Sequence, residues 1–122
     1  MFEVEVSVPL RFTHHLEGFG EEFSKEHRHT WDVTVTLAVP DLDQRGVGVD
    51  FVKLKASLIK LLEPYQGKLL NDCDLPFCAQ PTAEHIALWV AENMSKRYPG
   101  LLRSVTAGTS EERVRFVIDF TD

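Results

Sequence analysis

The chain of 122 residues is long enough for one domain and short for two, and 43% hydrophobic residues suffice for a modest core. A formal net charge of −6 argues against a nucleic-acid-binding surface, because neutralising phosphates requires clustered Lys and Arg. No stretch approaches the ~18 consecutive apolar residues of a membrane helix, and residues 1–5 alternate acids with apolar side chains. We therefore expect one domain over residues 1–122, cytoplasmic, with neither nucleic-acid nor membrane partners.

Two segments alternate apolar and polar residues, which is typical of half-buried strands. The apolar positions are Phe2, Val4, Val6, Val8 and Leu10 in the first, and Trp31, Val33, Val35, Leu37 and Val39 in the second. Residues 102–109 and 113–120 predict two further strands around a polar turn. Residues 11–30 are interpreted as a long insertion between the first two strands.

The middle of the chain changes to a period of three and four residues, which predicts helices. Asp50 is a plausible N-cap for the first helix, which ends before Pro64. Pro81-Thr82-Ala83-Glu84 opens the second, which ends before Tyr98. The order strand, strand, helix, helix, strand, strand predicts an α+β fold, with a four-stranded antiparallel sheet and two helices on one face. The other face is expected to stay partly apolar and to be buried by an identical subunit.

Four of the five histidines, His14, His15, His27 and His29, fall within sixteen residues. On a strand, side chains two apart point to the same side roughly 6.6 to 6.8 Å apart, so His27 and His29 can converge on one ion. With His14 as a third ligand they would form a three-imidazole zinc site with an open position, as in catalytic zinc centres. The alternative is that His27 and His29 are solvated strand residues and that His14 packs beside Leu16.

Cys73 and Cys78 are the only cysteines. Secreted scaffolds carry a denser, even set, so a disulfide is not expected here. A pair of soft metal ligands is conceivable, but the spacing is looser than that of a zinc knuckle and no second pair follows. Two ordinary thiols are the preferred interpretation.

Five segments in this order resemble motifs of the 6-pyruvoyl tetrahydropterin synthase family, which includes 6-carboxytetrahydropterin synthase. They are His14-His15-Leu16, His27-Arg28-His29-Thr30-Trp31, Val49-Asp50-Phe51-Val52-Lys53-Leu54-Lys55, Leu70-Asn71-Asp72 and Pro81-Thr82-Ala83-Glu84. The resemblance extends over nearly the full chain and implies the family's tunnelling fold.

The resemblance also implies a function and an assembly. His14, His27 and His29 would bind zinc, Thr82 and Glu84 would contact a pterin-like substrate, and three sheets would close a barrel that stacks into a hexamer with active sites between subunits. The family binds dihydroneopterin triphosphate, whose side-chain oxygens coordinate zinc while a base removes a carbon-bound proton.

Four positions depart from the family pattern. The catalytic Cys falls on Phe23, the Asp-His relay on Gln66 and Gly67, and the pterin-anchoring Glu on Gly108. Because none of these residues moves a proton at neutral pH, the standard reaction is not expected. Glu22 is the candidate replacement base, with a solvated loop residue as the alternative. Restoring all four family residues together is expected to raise turnover of dihydroneopterin triphosphate.

Three functions remain open from the sequence. The first is a zinc-dependent pterin lyase with altered chemistry, and the second is a non-catalytic zinc-binding homologue that binds a ligand or partner. The third is a structural zinc protein in which Glu17 or Glu26 supplies a fourth ligand, although structural sites are normally rich in Cys.

Overall fold

The fold is that of a computed structural model, of which residues 1–118 are described. The strands are β1 (Phe2–His14), β2 (His27–Val39), β3 (Lys68–Leu69), β4 (Leu102–Gly108) and β5 (Arg113–Val117), and the helices are α1 (Glu21–Ser24), α2 (Phe51–Leu62) and α3 (Ala83–Arg97). Two 3₁₀ turns lie at Glu63–Tyr65 and Leu70–Asp72. The predicted end of the last strand, residues 119–120, lies outside the described part of the chain. No helix within residues 1–118 is long and apolar enough to cross a membrane.

The strands form one sheet in the order β3-β1-β2-β4-β5. The α+β class is confirmed, but the expected four-stranded antiparallel sheet is wrong by one strand, because β3 pairs parallel with β1. Gln66 and Gly67 bring β3 to this edge. The Gly67 amide donates to the Arg11 carbonyl at 2.7 Å, and the Gln66 side chain accepts from the Arg11 amide and donates to the Pro9 carbonyl. No hydrophobic period marks this two-residue strand.

The first two strands are longer than the sequence pattern predicts. Their antiparallel ladder continues from Leu10 opposite Trp31 to His14 opposite His27. The apolar alternation breaks at His14, but the inward direction does not, because Phe12 and His14 are both almost fully buried. The connection is therefore only residues 15–26, and the candidate metal ligands lie on strands instead of in a long insertion.

The two long helices cover one face of the sheet. Asp50 caps α2 by accepting from the amides of Val52 and Lys53, and Thr82 caps α3 by accepting from the His85 amide. The buried side chains of α2 are Leu54, Leu58 and Leu62, and those of α3 are Ile86, Ala87, Val90, Ala91 and Met94. They join the inward-facing residues of β1, β2 and β4 in one hydrophobic cluster.

The opposite face of the sheet is more polar than expected. Its cavity of about 480 Å³ is lined on one side by Glu3 and Glu5 and on the other by Arg113 and Arg115. Threonine and serine hydroxyls of β2 and β4 lie between them. The expectation of a partly apolar outer face is therefore wrong over this region.

Candidate metal centre

Three histidines meet at one end of the β1–β2 ladder. His14 lies directly opposite His27, and His29 lies opposite Phe12 on the same inward face. One ring nitrogen from each of the three histidines lies within 4.8 Å of the other two. No carboxylate joins this group in the described part of the chain, so neither Glu17 nor Glu26 closes it. The structure thus brings together the three residues that the sequence singled out.

Backbone carbonyls fix the rings of two of these histidines. The Nδ1 atom of His14 lies 2.8 Å from the Pro81 carbonyl oxygen, and that of His27 lies 2.9 Å from the Lys25 carbonyl oxygen. A carbonyl only accepts, so Nδ1 carries the hydrogen in both rings and Nε2 carries the lone pair. Both Nε2 atoms are buried and have no hydrogen-bond partner. Buried lone pairs without a partner, on rings oriented by carbonyls, match the ligand arrangement of metal-binding histidines.

The protonation of the cluster also suits metal binding. Burial, helped by the neighbouring His27 and His29, lowers the pKa of His14 to about 4, and the hydrogen bond to the Pro81 carbonyl opposes this shift. Burial, and next the neighbouring His27, also lower the pKa of His29. Both imidazoles are neutral at pH 7, which is the form that coordinates a metal ion.

Aromatic rings surround the cluster. Phe12 meets His14 edge-on at 5.0 Å between centroids, and His29 stacks on Trp31 at 4.7 Å. Phe23, at the position of the family Cys, contacts the His27 ring at 5.9 Å. These contacts restrict the rotation of the histidine rings and keep water from one side of them.

Two side-chain amides hold the chain that follows His14. The Asn71 amide both accepts from the His15 amide, at 3.0 Å, and donates to the His15 carbonyl, at 3.1 Å. In the same way the Gln80 side chain accepts from the Glu17 amide, at 3.0 Å, and donates to the Glu17 carbonyl, at 2.8 Å. Asn71 belongs to a motif seen in the sequence, whereas Gln80 was missed, because only the folded chain brings residues 17 and 80 together.

The remaining predicted site residues do not belong to the histidine group in the described part of the chain. Glu22 is exposed on α1, and within residues 1–118 no hydrogen bond or ion pair joins it to the cluster. The Thr82 hydroxyl oxygen accepts from the His85 amide, 3.2 Å away, as the cap of α3. Glu84 is exposed in the first turn of the same helix.

Gly108 cannot carry the family's glutamate in this backbone. Its φ of +143° is one that side chains rarely adopt, and a Cβ atom there would collide with the Glu112 carbonyl oxygen and lie 2.6 Å from the Arg113 Cα. Placing a glutamate at position 108 would therefore require the strand to move, and the expectation that restoring all four family residues raises turnover stays a prediction.

The cysteines show no sign of metal binding. Cys73 and Cys78 are free and partly buried, and neither belongs to a ligand group in the described residues. Burial raises the pKa of the Cys73 thiol. The thiol is therefore protonated at neutral pH, as expected for an ordinary packed cysteine.

Comparison with known proteins identifies the family of this chain. The family model described as 6-pyruvoyl tetrahydropterin synthase matches residues 3–121. The dihydroneopterin monophosphate aldolase of Pyrococcus furiosus is 32% identical over 80 residues, which span 66% of this chain and 65% of that protein.

Solved structures share the fold at low identity. The Caenorhabditis elegans 6-pyruvoyl tetrahydropterin synthase superposes with a TM-score of 0.78 at 20% identity, covering 97% of this chain and 96% of that one. An uncharacterized protein from Wolinella succinogenes gives 0.80 at 17% identity, covering 97% and 98%. The Plasmodium vivax 6-pyruvoyltetrahydropterin synthase gives 0.66 at 16% identity, covering 97% and 100%. The chain belongs to the 6-pyruvoyl tetrahydropterin synthase family.

Proposed function

We propose that the protein binds zinc through His14, His27 and His29 and acts on a pterin-type substrate with chemistry altered from that of 6-pyruvoyl tetrahydropterin synthase. The observation that carries the proposal is the pair of buried, unpartnered Nε2 atoms on His14 and His27, beside a neutral His29. A zinc ion held by three neutral imidazoles would keep one open position and would polarise a substrate oxygen.

Cleavage of a carbon-carbon bond in the pterin side chain is the proposed reaction. The Pyrococcus relative is named as an aldolase acting on dihydroneopterin monophosphate, and its matched stretch covers most of this chain. Such a cleavage requires a base that removes a hydroxyl proton from the side chain. The deprotonated oxygen becomes the carbonyl of the released aldehyde, the electron pair of the broken carbon-carbon bond passes to the pterin, and a proton returned to the pterin completes the reaction. The family's Asp-His relay is not proposed to take part, because Gln66 and Gly67 stand at its positions.

Glu22 is the proposed base. Its neighbour Phe23 packs on the His27 ring, so α1 borders the metal-ligand cluster. The Glu22 side chain is exposed and has no hydrogen bond within the described residues that a substrate would have to break. Thr82 and Glu84 are proposed to contact the pterin, because they open α3 directly after Pro81, whose carbonyl orients His14.

A homo-oligomer, trimeric or built from two stacked trimers, is proposed as the working form. Residues 2–10 of β1 have no partner on their outer side in the described structure, because β3 pairs only with Phe12 and Thr13. β5 is the open edge at the other end of the sheet. Glu3 and Glu5 lie near one edge and Arg113 and Arg115 near the other, so edge-to-edge pairing would bring opposite charges together. Pairing between two different edges forms rings and removes both exposed edges.

The second candidate is a non-catalytic homologue that binds zinc and a pterin or partner. It is favoured by the structural roles of three replaced positions: Phe23 packs on a histidine, Gln66 bridges backbone and Gly67 makes a turn at a φ of +73°. A single experiment separates the two candidates.

That experiment offers zinc-loaded protein dihydroneopterin monophosphate and dihydroneopterin triphosphate and follows the pterin products by chromatography. We expect cleavage of the monophosphate and negligible turnover of the triphosphate. Glu22→Gln should lower kcat by ~10²- to 10⁴-fold, the usual worth of a general base, with zinc content unchanged. Glu21→Gln is the matched control on the same helix.

Two results would count against the reaction. Tight pterin binding without any product would favour the binding module, and full turnover by Glu22→Gln would remove Glu22 as the base. Failure of the protein to take up zinc would remove both candidates.

A further inference from the structure

A second cavity lies on the outer face of the β1–β2 ladder, behind the histidines. It measures about 610 Å³, and its polar lining comes from Arg11 and Thr13 of β1 and from Arg28 and Thr30 of β2. Arg11 pairs with Thr30 and Thr13 pairs with Arg28, so the four side chains alternate across the two strands. Since side chains alternate along a strand, these residues face away from the side that carries His14, His27 and His29.

The two guanidinium groups share this cavity without a counter-ion. Arg11 and Arg28 are diagonal neighbours across the ladder, a distance that long side chains span. No acidic residue lines the cavity, and no ion pair joins either arginine to an acid in residues 1–118. Glu26, which directly precedes β2, and Asp32 on β2 lie outside its lining. In a chain of net charge −6, two adjacent unpaired cations form a local anion site.

The backbone below the arginines is fixed. The Gln66 side chain and the Gly67 amide hold both main-chain groups of Arg11, at 2.9 and 2.7 Å. Gly67 also borders the cavity, and nothing lies within 4 Å of the place where its Cβ would be. Hydrogen bonds therefore fix the backbone of Arg11 beneath the cavity, and the cavity is open beside Gly67.

We propose that Arg11 and Arg28 form a binding site for a phosphate group, either free inorganic phosphate or the phosphate of a monoester. Two guanidinium forks and two threonine hydroxyls supply more donors than a carboxylate accepts, and they match the oxygens of a phosphate. One pair of arginines on an acidic chain is too little charge for a nucleic acid or an anionic membrane.

The site is separate from the proposed metal centre. Phe12 and His29 contribute to the lining of the cavity, but the strand alternation directs the side chains of the proposed metal ligands to the other face of the ladder. Phosphate binding should therefore persist in His27→Ala protein, which is not expected to hold zinc. Loss of zinc binding would end the proposed function and leave this site intact, so the two proposals can fail independently.

The test is calorimetric titration of the full-length protein with inorganic phosphate, neopterin monophosphate and neopterin, in chloride buffer at low ionic strength. Arg11→Gln and Arg28→Gln should each weaken phosphate binding at least ~10-fold, because each removes charge-assisted hydrogen bonds. Arg45→Gln is the matched control, since Arg45 already pairs with Asp43 on an exposed loop. Thermal melting confirms that each variant is folded.

The three ligands distinguish the sources of the phosphate. If the monophosphate binds tighter than both phosphate and neopterin, and the arginine variants lose that gain, the ligand is a phosphate ester. If inorganic phosphate binds as tightly as the monophosphate, the ligand is the free ion. Unchanged phosphate affinity in both arginine variants, or an equal loss in Arg45→Gln, would overturn the proposal.

Discussion

Two regions of the molecule differ in the kind of residue they carry. One is the end of the β1–β2 ladder, and the other is the set of positions that resemble the family's remaining functional positions. At the ladder end, three histidines converge, and carbonyls orient two of them. At the other positions, Phe23, Gln66, Gly67 and Gly108 pack a ring, bridge backbone or allow a tight turn. The three histidines are part of the sheet that forms the core, whereas the other four residues lie on connections or at a strand end. The proposed metal binding and the proposed loss of the standard proton transfer therefore depend on separate parts of this fold.

The largest expected effect is loss of metal on removing the ladder histidines. The double variant His27→Ala/His29→Ala should lose nearly all zinc, whereas the unmodified chain should hold about one equivalent, because one remaining imidazole gives too few ligands. Metal analysis after dialysis against a weak chelator measures this. His85→Ala is the control, since His85 is exposed and its Nδ1 bonds only to the Gln80 carbonyl. Full occupancy in the double variant would show that the ladder end is not the metal site.

Lowering the pH should reduce the free energy of unfolding through the buried His14 at the ladder end. Burial holds the pKa of His14 at about 4 in the fold, against 6.5 in an unfolded chain. Between these values the unfolded chain binds a proton that the folded one does not, so this contribution to stability is complete above pH 6.5 and is lost as the pH falls toward 4. Urea unfolding of the metal-free protein across this window should show the decline. His14→Gln should flatten it, and an unchanged slope in that variant would assign the decline to other groups.

Among the positions outside the histidine cluster, Gly108 offers the clearest test of a structural role. Gly108→Ala places a Cβ against the Glu112 and Arg113 backbone at a φ of +143°, whereas Gly46→Ala places one at +79° in open space. Both substitutions strain the backbone, but only the first also forces a collision. Gly108→Ala should therefore cost about 1 to 3 kcal/mol more in the free energy of unfolding, as measured with urea. If both substitutions lower the free energy of unfolding equally, β5 can shift at little cost and the fold can accept a glutamate at position 108.

The sequence predicted the grouping of the histidines because its signal is local. The two-residue spacing of His27 and His29 predicted that both would point to the same side, and the fold places both of them beside His14. Their position on a strand was not predicted, because residues 11–30 were interpreted as an insertion. The N-cap at Asp50 follows from residues 50–53 alone and is also confirmed. A sequence pattern was sufficient to predict those features that depend only on neighbouring residues.

The features that the sequence missed depend on distant contacts. Strand β3 forms because Gln66 and Gly67 bond to Pro9 and Arg11, more than fifty residues earlier. The collision at Gly108 comes from the β4–β5 turn geometry, which no residue type reveals. The two hydrogen bonds between Gln80 and Glu17 likewise form only when the chain is folded. These contacts all lie outside the histidine cluster, and those of Gln66, Gly67 and Gln80 join residues that are distant in the sequence.

The smallest expected effect separates two roles of Thr82. Its hydroxyl oxygen accepts from the His85 amide as the cap of α3, which leaves the O–H free to donate to a ligand. Thr82→Ala should cost about 1 kcal/mol of stability by losing the cap and, if the hydroxyl also contacts the pterin, should weaken pterin binding by up to about tenfold. Thr82→Asp keeps a capping acceptor but cannot donate when ionised, so stability should recover while affinity should not. Thr82→Ser retains both groups and is the control. Recovery of pterin affinity in Thr82→Asp, measured by fluorescence titration, would confine Thr82 to capping and leave Glu84 alone as the proposed contact from α3.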